Sequence, residues 1–379
     1  MSLQAALPRE MYVDDVAWAR ERERVLFATW ACVGRLDDLG LDVPGRLAVV
    51  DVVGESVVVT RDDDGLHGAY NVCRHRGSQL VPVTQTREPG SEPVCSAAGA
   101  LRCPYHSWTY SLAGRLLKAP HTEDGDIDPA DFSLHPVGVE EWAGFVFVNL
   151  TPGVEPFADG VARAAANLGN YDMGSLVTGL TLSYDVAANW KVLAENYNEC
   201  YHCGPVHPEL VRLVPAFGGG GTDLAWEDGI PHREGAWTFT MSGTTSRAPL
   251  PGLSEAEKVR HKGELVYPNL MLSCSADHVA AFVLRPVAVD RTRIDCSLLF
   301  ARDAVAAADF DPSDAGDFWD LVNKQDWAIC ESVQRGMSSR GFRQGWFAPM
   351  EDASLDIRRW LLPRLGIALA PGLDEASDE

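Results

Sequence analysis

The first part of the chain spaces its apolar residues as a helix does. Between residues 14 and 30 they recur along one side, and the pair Asp14 and Asp15 suits the N-terminal end of a helix. We therefore predict that residues 1–39 form a helical segment, which packs on the second of two domains.

From Gly45 the pattern changes to short runs of β-branched residues. LAVVDVV, SVVVTRD and LHGAYNV are separated by Gly54-Glu55 and Asp64-Gly65, which is typical of strands joined by tight turns. GFVFVNL predicts a further strand at the end of this region. These runs predict a small antiparallel β domain over residues 40–150.

Helical and strand patterns alternate in the remainder, residues 151–369. We predict a second domain of the α+β class here, with strands over residues 265–275 and 278–287. The glycines at 218–221 predict a loop, either at the plain surface or near a substrate entrance.

Charged residues occur in residues 189–208 (NWKVLAENYNECYHCGPVHP) where an amphipathic helix would carry apolar ones. A helix would place four residues on one face: Val192, Glu195, Glu199 and His202. Charged side chains are seldom fully buried unless they are paired or bind a metal. Gly204 and Pro205 are predicted to end the helix and return His207 toward His202. The stretch is therefore either a surface helix with two ordinary histidines or a metal site.

A second helix is predicted over residues 317–335 (DFWDLVNKQDWAICESVQR). Its apolar stripe has four members: Phe318, Val322, Ile329 and Val333. Asp326 falls in register on that stripe, where a lone carboxylate is costly unless it has a partner. The partner is an Arg, a helix end or a metal ion. Glu331 points off the stripe and is predicted to be structural.

Two loop tips in the β domain each carry one cysteine and one histidine. The first contains Cys73 and His75, and the second contains Cys103 and His106. Four such ligands fit either a structural zinc site or a Rieske [2Fe–2S] centre, in which two Cys hold one iron and two His hold the other. The C-x-H spacing differs from that of zinc fingers, and one ligand of each type on each loop favours the cluster.

The stretches CRHRG and CPYHSWTY resemble the Rieske motif of the aromatic-ring-hydroxylating oxygenase α subunits. The resemblance implies that Cys73 and Cys103 bind one iron, and that His75 and His106 bind the other. The interval between the two motifs is longer than in the family. The extra length lies in TREPGSEPVCSAAG, whose Cys95 is predicted to be a loop cysteine and not a ligand.

Residues 189–208 and the stretch QDWAICESVQRGMSS resemble the mononuclear-iron motifs of the same family. The resemblance implies that His202, His207 and Asp326 bind Fe(II) as a two-histidine, one-carboxylate triad. Glu199 stands where the family has a carboxylate that links a Rieske histidine of one subunit to an iron-ligand histidine of the next. One [2Fe–2S] cluster and one mononuclear Fe(II) are thus implied per subunit.

The resemblance also implies the fold and the assembly. The expected fold is an antiparallel β Rieske domain followed by a helix-grip-like α+β catalytic domain, in a head-to-tail homotrimer. Electrons would come from NAD(P)H through a separate flavin and ferredoxin-type reductase. This chain shows no nucleotide-binding Gly-rich motif of its own.

Within the family, Glu199, the TMSG segment at Thr240 and the CESVQRGMSS run look most like oxygenases that demethylate glycine betaine and related quaternary ammonium compounds. That activity hydroxylates an N-methyl group, which leaves as formaldehyde, and an aromatic cage would hold the cation. Hydroxylation or cis-dihydroxylation of an aromatic acid is an alternative. A Rieske electron carrier with a structural second domain is another. Candidate pocket residues are Trp226, Trp237, Phe239, Tyr267 and Phe282.

Composition narrows the partners and the compartment. The formal net charge of −22 argues against nucleic acid or an anionic membrane as a partner. No apolar run is long enough to span a membrane, and the N-terminus lacks the pattern of a secretory signal. The nine cysteines therefore suggest metal binding or chemistry in a reducing, cytoplasmic setting, and not a disulfide framework. The tail over residues 370–379 is predicted to be disordered.

Overall fold

The computed structural model describes residues 3–82, 99–123, 125–151, 153, 156–221 and 224–368. Two compact units form: Leu26–Gly160, and Met1–Val25 together with Val161–Glu379. Their boundaries differ from the predicted divisions after residues 39 and 150. Cys95 and the predicted tail at residues 370–379 lie outside the described residues.

The N-terminal segment contains one strand and two short helices: β1 (Gln4–Pro8), α1 (Glu10–Val13) and α2 (Asp15–Glu21), followed by a π-helical turn at Arg22–Leu26. The carboxylate of Asp14 caps α2 by accepting hydrogen bonds from the N–H groups of Val16 and Ala17. The prediction that this helix reaches residue 30 is wrong. The chain after Leu26 turns to enter a strand whose residues pair inside the β unit.

Nine strands lie among the described residues of the β unit: β2 (Ala31–Arg35), β3 (Arg46–Val52), β4 (Glu55–Asp62), β5 (Gly65–Tyr70), β6 (Ala100–Arg102), β7 (Thr109–Ser111), β8 (Leu116–Lys118), β9 (Pro136–Trp142) and β10 (Phe145–Asn149). Six form an antiparallel sheet in the order β2-β10-β9-β5-β4-β3, and β6, β7 and β8 form a second sheet. The predicted hairpins and the predicted final strand are confirmed. Strand β2 lies within the predicted helical segment, residues 1–39. Its pairing with β10 places the start of the β unit at Leu26 and not at residue 40.

The second unit continues with further elements: α3 (Phe157–Leu168, which straddles the boundary), β11 (Val177–Val186), α4 (Trp190–Tyr197), α5 (Cys203–Val206), α6 (Pro208–Leu213), β12 (Ile230–Pro231), β13 (Arg260–Val266), β14 (Leu270–Cys274), β15 (His278–Ala288), β16 (Arg291–Phe300), α7 (Arg302–Ala306), α8 (Ser313–Ser338), β17 (Gln344–Phe347) and α9 (Asp356–Arg364). Its antiparallel sheet has the order β11-β16-β15-β14-β13-β12, and β1 pairs with β17. The predicted α+β class is confirmed.

Helix α8 packs against α4 and is longer than predicted. Its buried stripe includes Phe318, Val322 and Cys330, but Ile329 and Val333 are each 39% exposed. Their placement on the stripe was wrong. Near the C-terminal end of α8 the buried residue is Gln334, whose side chain forms hydrogen bonds with the backbone of Asn189 and Tyr12.

Buried polar contacts tie the N-terminal segment to α4. Glu21 accepts a hydrogen bond from Nε1 of Trp190 at 2.5 Å and pairs with Nζ of Lys191 at 2.7 Å. The hydroxyl of Tyr12 donates to Glu195 at 2.5 Å. Removing one partner of a buried ion pair is strongly destabilising, because it leaves an uncompensated charge. These contacts therefore fix the helix that leads into the candidate site.

No helix among the described residues is long and apolar enough to cross a membrane.

Candidate metal centres and active site

The two predicted cluster loops of the β unit have the same backbone turn. The N–H of Cys73 donates to the carbonyl of Ser78 at 2.8 Å, and that of Cys103 donates to Trp108 at the same distance and offset. In both loops the fourth residue after the cysteine has a positive φ: 74° at Gly77 and 63° at Ser107. The chain thus builds one cysteine-presenting turn twice.

Both sulfurs are buried in this unit. Cys73 and Cys103 are unbonded to each other, and Sγ of Cys73 lies 3.3 Å from the hydroxyl of Tyr110. Burial raises the pKa of the Cys73 thiol, and the neighbouring Cys103 raises it further. Two adjacent buried thiolates require a cation between them, as a metal–thiolate centre provides.

The two histidines of the loops are exposed and adjacent. The ring centroids of His75 and His106 are 4.7 Å apart, and His75 stacks on Trp108 at 4.9 Å. The two sulfurs are buried, while the two imidazoles are exposed. A tetrahedral zinc ion would draw all four together, with bonds of about 2.0–2.3 Å. Two buried sulfurs and two exposed imidazoles instead fit a cluster of two irons.

The second candidate site begins where α4 ends. Asn189 caps this helix by accepting a hydrogen bond from the N–H of Lys191 at 3.0 Å, and the helix stops at Tyr197. The prediction of one helix carrying both acids and His202 on a single face is therefore wrong. Glu195 is buried against the N-terminal segment, and Glu199 lies in the turn that follows.

The predicted end of that helix is also corrected. Gly204 and Pro205 lie inside the short helix α5 and do not terminate the earlier one. The break occurs at Asn198, whose backbone leaves the helical region. His202 and His207 flank α5 as its two caps, so this single turn sets the separation between the histidines.

Three of the predicted residues converge here. Oδ1 of Asp326 lies 2.9 Å from Nε2 of His207 and 3.3 Å from Nε2 of His202. One ligand atom from each residue lies within 4.8 Å of the other two. Two imidazoles and one carboxylate on one side of a cavity are the donor set of non-heme Fe(II) oxygenases, which leaves positions open for O2 and substrate. The residues fit such an iron.

In each histidine, a side-chain oxygen contacts Nδ1, the ring nitrogen that does not contact Asp326. Oε1 of Glu199 lies 2.5 Å from Nδ1 of His202, and the backbone N–H of Tyr201 donates to the other oxygen of Glu199. Oε1 of Gln325 lies 2.8 Å from Nδ1 of His207. A partner at Nδ1 fixes the ring and directs Nε2 toward the metal position. Sequence reasoning missed Gln325, although it immediately precedes Asp326.

Local charge favours a cation at this position. Burial lowers the pKa of His202, but the carboxylates of Asp326 and Glu199 outweigh burial and raise that pKa to about 9. Burial raises the pKa of Asp326, yet hydrogen bonds from both histidines bring it below its usual value. These carboxylates favour a positive charge at the site, which either a proton or a metal ion supplies.

An aromatic cavity of about 160 Å³ adjoins the triad. Eight Phe, Tyr and Trp side chains line it among the described residues: Tyr197, Phe217, Trp226, Phe239, Tyr267, Phe282, Trp319 and Trp327. Four of the five predicted pocket aromatics are among them, and Trp237 is not. The glycine-rich segment contributes Phe217, which stacks on Trp226 at 5.8 Å between centroids.

His261 lies among these rings and was not anticipated from the sequence. Its centroid is 4.8 Å from Phe239 and 6.0 Å from Phe217, and its Nδ1 is buried without a hydrogen-bond partner. Burial lowers its pKa to about 3, so the imidazole is neutral near pH 7. The cavity wall is therefore uncharged at this point.

Residues 173–366 match the ring hydroxylating alpha subunit (catalytic domain) family, and residues 29–139 match the Rieske [2Fe-2S] domain family. The chain belongs to the Rieske oxygenases that combine these two domains. It is an oxidoreductase whose cofactors are a Rieske [2Fe–2S] cluster and a mononuclear iron. Such enzymes use O2, a small substrate and a separate reductase.

Two characterised relatives cover most of the chain. The glycine betaine monooxygenase oxygenase subunit of Chromohalobacter salexigens is 30% identical, over 97% of this chain and 88% of that protein. The carnitine monooxygenase oxygenase subunit of Escherichia coli (strain K12) is 29% identical, over 89% of this chain and 85% of that protein.

Solved structures agree in fold. The quaternary ammonium Rieske monooxygenase CntA, in complex with an inhibitor, superposes with a TM-score of 0.74 at 25% identity, over 96% of both chains. Naphthalene 1,2-dioxygenase from Rhodococcus sp. superposes with a TM-score of 0.71 at 19% identity, over 96% of this chain and 95% of that one.

Proposed function

We propose that this protein is the oxygenase component of a monooxygenase that removes a methyl group from a quaternary ammonium compound such as glycine betaine, with release of formaldehyde. The observation that carries the proposal is an aromatic cavity that adjoins the three converging metal-type ligands. The names of the glycine betaine and carnitine relatives support the same substrate class.

The residue assignments form part of the proposal. Cys73 and Cys103 would hold one iron of the cluster, and His75 and His106 the other. His202, His207 and Asp326 would hold the mononuclear iron. When bound, the cluster supplies single electrons and the mononuclear iron activates O2 for attack on a methyl group.

The chain's own residues bind and orient the substrate. Aromatic faces attract a quaternary ammonium group by cation–π interaction, which strengthens when water is excluded. A neutral His261 adds no repulsion against that charge. The cavity therefore suits a cationic nitrogen whose methyl groups point toward the triad.

Charge in the cavity lining disfavours an aromatic acid. Among the described residues that line it, Arg163 is the one lysine or arginine, and it pairs with Glu264 at 3.3 Å and Asp356 at 3.6 Å. A substrate carboxylate would have to compete with both of these partners. No observation in the lining favours hydroxylation of an aromatic acid over that of a cation.

The assembly and the electron path belong to the same proposal. We place the chain in a head-to-tail homotrimer supplied by a flavin and ferredoxin-type reductase. The exposed His75 and His106 would then reach Glu199 of a neighbouring subunit, and Glu199 contacts His202. The structure of CntA has been interpreted in terms of inter-subunit electron transfer, which supports this arrangement.

A single-turnover experiment tests the function without the reductase. The purified protein is reduced chemically, freed of reductant, and given O2 with one compound from a panel of methylated ammonium compounds and aromatic acids. We expect formaldehyde from an ammonium compound, near one per mononuclear site. A hydroxylated aromatic product without formaldehyde would overturn the proposed substrate class. The variant Asp326→Ala serves as the control and should give no product with any compound.

A further inference from the structure

Cys200 and Cys203 are joined by a disulfide in the loop that carries His202. Buried cysteines that form no disulfide include Cys73, Cys103, Cys274, Cys296 and Cys330. Two cysteines separated by two residues are the spacing of redox-active pairs, and an isolated disulfide in a cytosolic chain is more often redox-sensing than structural.

The bond closes a ring around the candidate ligand. Tyr201 and His202 are the two residues between the bonded cysteines, and Glu199 directly precedes the ring. Inside it, the N–H of Cys203 donates to the carbonyl of Cys200 at 3.2 Å. The disulfide therefore restrains the backbone on both sides of His202. Glu199, which lies outside the ring that the disulfide closes, contacts Nδ1 of His202.

The glycine-rich segment lies directly on this ring. A Cβ added at Gly221 would lie 3.5 Å from the Cβ of Cys200, and one at Gly220 would lie 3.3 Å from the ring of Tyr201. Both glycines have positive φ, at 81° and 76°, so larger residues would be strained there as well as crowded. The segment therefore packs against one side of the ring that the disulfide closes.

The other side faces the cavity. Cys200 is 4% exposed and Cys203 is 3% exposed, yet both line the cavity together with His202 and Asp326. A small oxidant present in the cavity therefore reaches these sulfurs.

We propose that Cys200 and Cys203 interconvert between a disulfide and a dithiol, and that the disulfide fixes His202 in its ligand position. This inference rests on the proposed iron site. It predicts that the oxidised chain retains metal more firmly than the reduced chain.

Hydrogen peroxide, which escapes from O2-activating sites, is the oxidant that we assign. One thiolate attacks the peroxide to form a sulfenic acid and release hydroxide. The second thiolate then attacks that sulfur, and the S–S bond forms as a second hydroxide leaves. Overall, two thiols and one H2O2 give one disulfide and two waters. A dithiol reductant reverses the change by thiol–disulfide exchange and becomes a disulfide itself.

Metal affinity, measured apart from catalysis, tests the proposal. Full-length protein is stripped of mononuclear iron with a chelator, oxidised with peroxide or reduced with a phosphine, and titrated anaerobically with Co²⁺. Elemental analysis counts Co²⁺ separately from the iron of the cluster. We expect a dissociation constant about tenfold higher in the reduced protein, since groups that position a ligand typically affect metal affinity 10–100-fold.

Two variants provide matched controls. The pair Cys200→Ala with Cys203→Ala should bind Co²⁺ as weakly as reduced wild type and should not respond to the phosphine. Cys296→Ala, at a free buried cysteine, should respond as wild type does. The wild-type comparison needs no substitution, so a misfolded variant does not decide the outcome.

Three results would overturn the inference. Alkylation of both cysteines after peroxide treatment would show that the disulfide does not form. Equal Co²⁺ affinity in the two redox states would show that the bond does not position His202. Failure of both redox states to bind Co²⁺ would contradict the proposed metal site itself. This outcome can be told apart from the first two, because those two leave Co²⁺ binding intact.

Discussion

The two candidate metal centres are built in different ways. In the β unit, Cys73 and Cys103 occupy two copies of one turn, and backbone hydrogen bonds within each loop set the turn. In the other unit, residues far apart in sequence meet, and side chains such as Glu199 and Gln325 orient them. The first centre is encoded locally. The second depends on how α8 packs against α4, so single side-chain changes should affect it more selectively.

The largest expected effect comes from the carboxylate shared by both histidines. Asp326→Ala should abolish stoichiometric metal at the mononuclear site and leave product undetectable, because two imidazoles alone make an incomplete triad. The visible absorption and paramagnetic signal of the Rieske cluster should be unchanged. Asp317→Ala, at an exposed position on the same helix, is the control. Loss of the cluster signal in Asp326→Ala would contradict the independence of the two centres.

Glu199→Gln should lower turnover with a reductase about 10–100-fold, the range typical of groups next to a metal ligand. The amide keeps the size of the side chain but loses the charge beside Nδ1 of His202. We expect Co²⁺ affinity to fall less than turnover does. Equal losses in both measurements would mean that Glu199 only positions His202, with no part in electron delivery.

Gln325→Ala should weaken Co²⁺ binding about tenfold, because His207 loses the acceptor at Nδ1 that fixes its orientation. Gln325→Glu retains an acceptor for His207, but it replaces the amide that donates to Glu209 with a second carboxylate, so it should recover only part of the affinity. Lys324→Ala changes the preceding residue of α8, which is exposed and pairs with Asp320 away from the triad. An identical loss in Lys324→Ala would trace the effect to the helix and not to the contact.

The last expected effect is on stability. Burial lowers the pKa of His261 to about 3 and that of His232 to about 4. Below about pH 6.5 the unfolded chain therefore binds protons that the folded chain does not, so stability falls as pH decreases toward those values. Each histidine contributes at most about 1.4 kcal/mol per pH unit.

Chemical denaturation of wild type and His261→Phe between pH 4 and 7 measures how much His261 contributes to the pH dependence of the free energy of unfolding. The variant should lose less stability on acidification, and the difference between the two proteins removes the contribution of other groups. His121→Ala, at an exposed position, should follow wild type. Parallel curves for wild type and His261→Phe would show that His261 is not the group responsible.

Local signals predicted much of this molecule. The hairpins of the β unit and the two cysteine tips are recognisable in the sequence because each is completed within a few residues. Asp326 was also identified, as a carboxylate on the buried side of a helix. The prediction of the other residues on that stripe was partly wrong. Gln334 is buried because it accepts a hydrogen bond from the backbone of Asn189, and Ile329 lies at the surface.

Features set by tertiary contacts were not predictable. The helix period places Glu195 and Glu199 on one face, but α4 stops at Tyr197 and Glu195 bonds Tyr12, far away in the chain. The five-residue strand β2 could not be told from the end of a helix until its pairing with β10 was known. The neutral His261 depends in the same way on rings brought together from separate elements.

The pairing of β1 with β17 has a consequence for how the chain is made. Gln4 lies opposite Phe347, so β1 can pair with β17 only after Phe347 has left the ribosome. The β unit, in contrast, is continuous from Leu26 to Gly160, so all of it is synthesised well before Phe347. The cluster-binding unit can therefore fold during translation before the pairing of β1 with β17 closes the iron-binding unit.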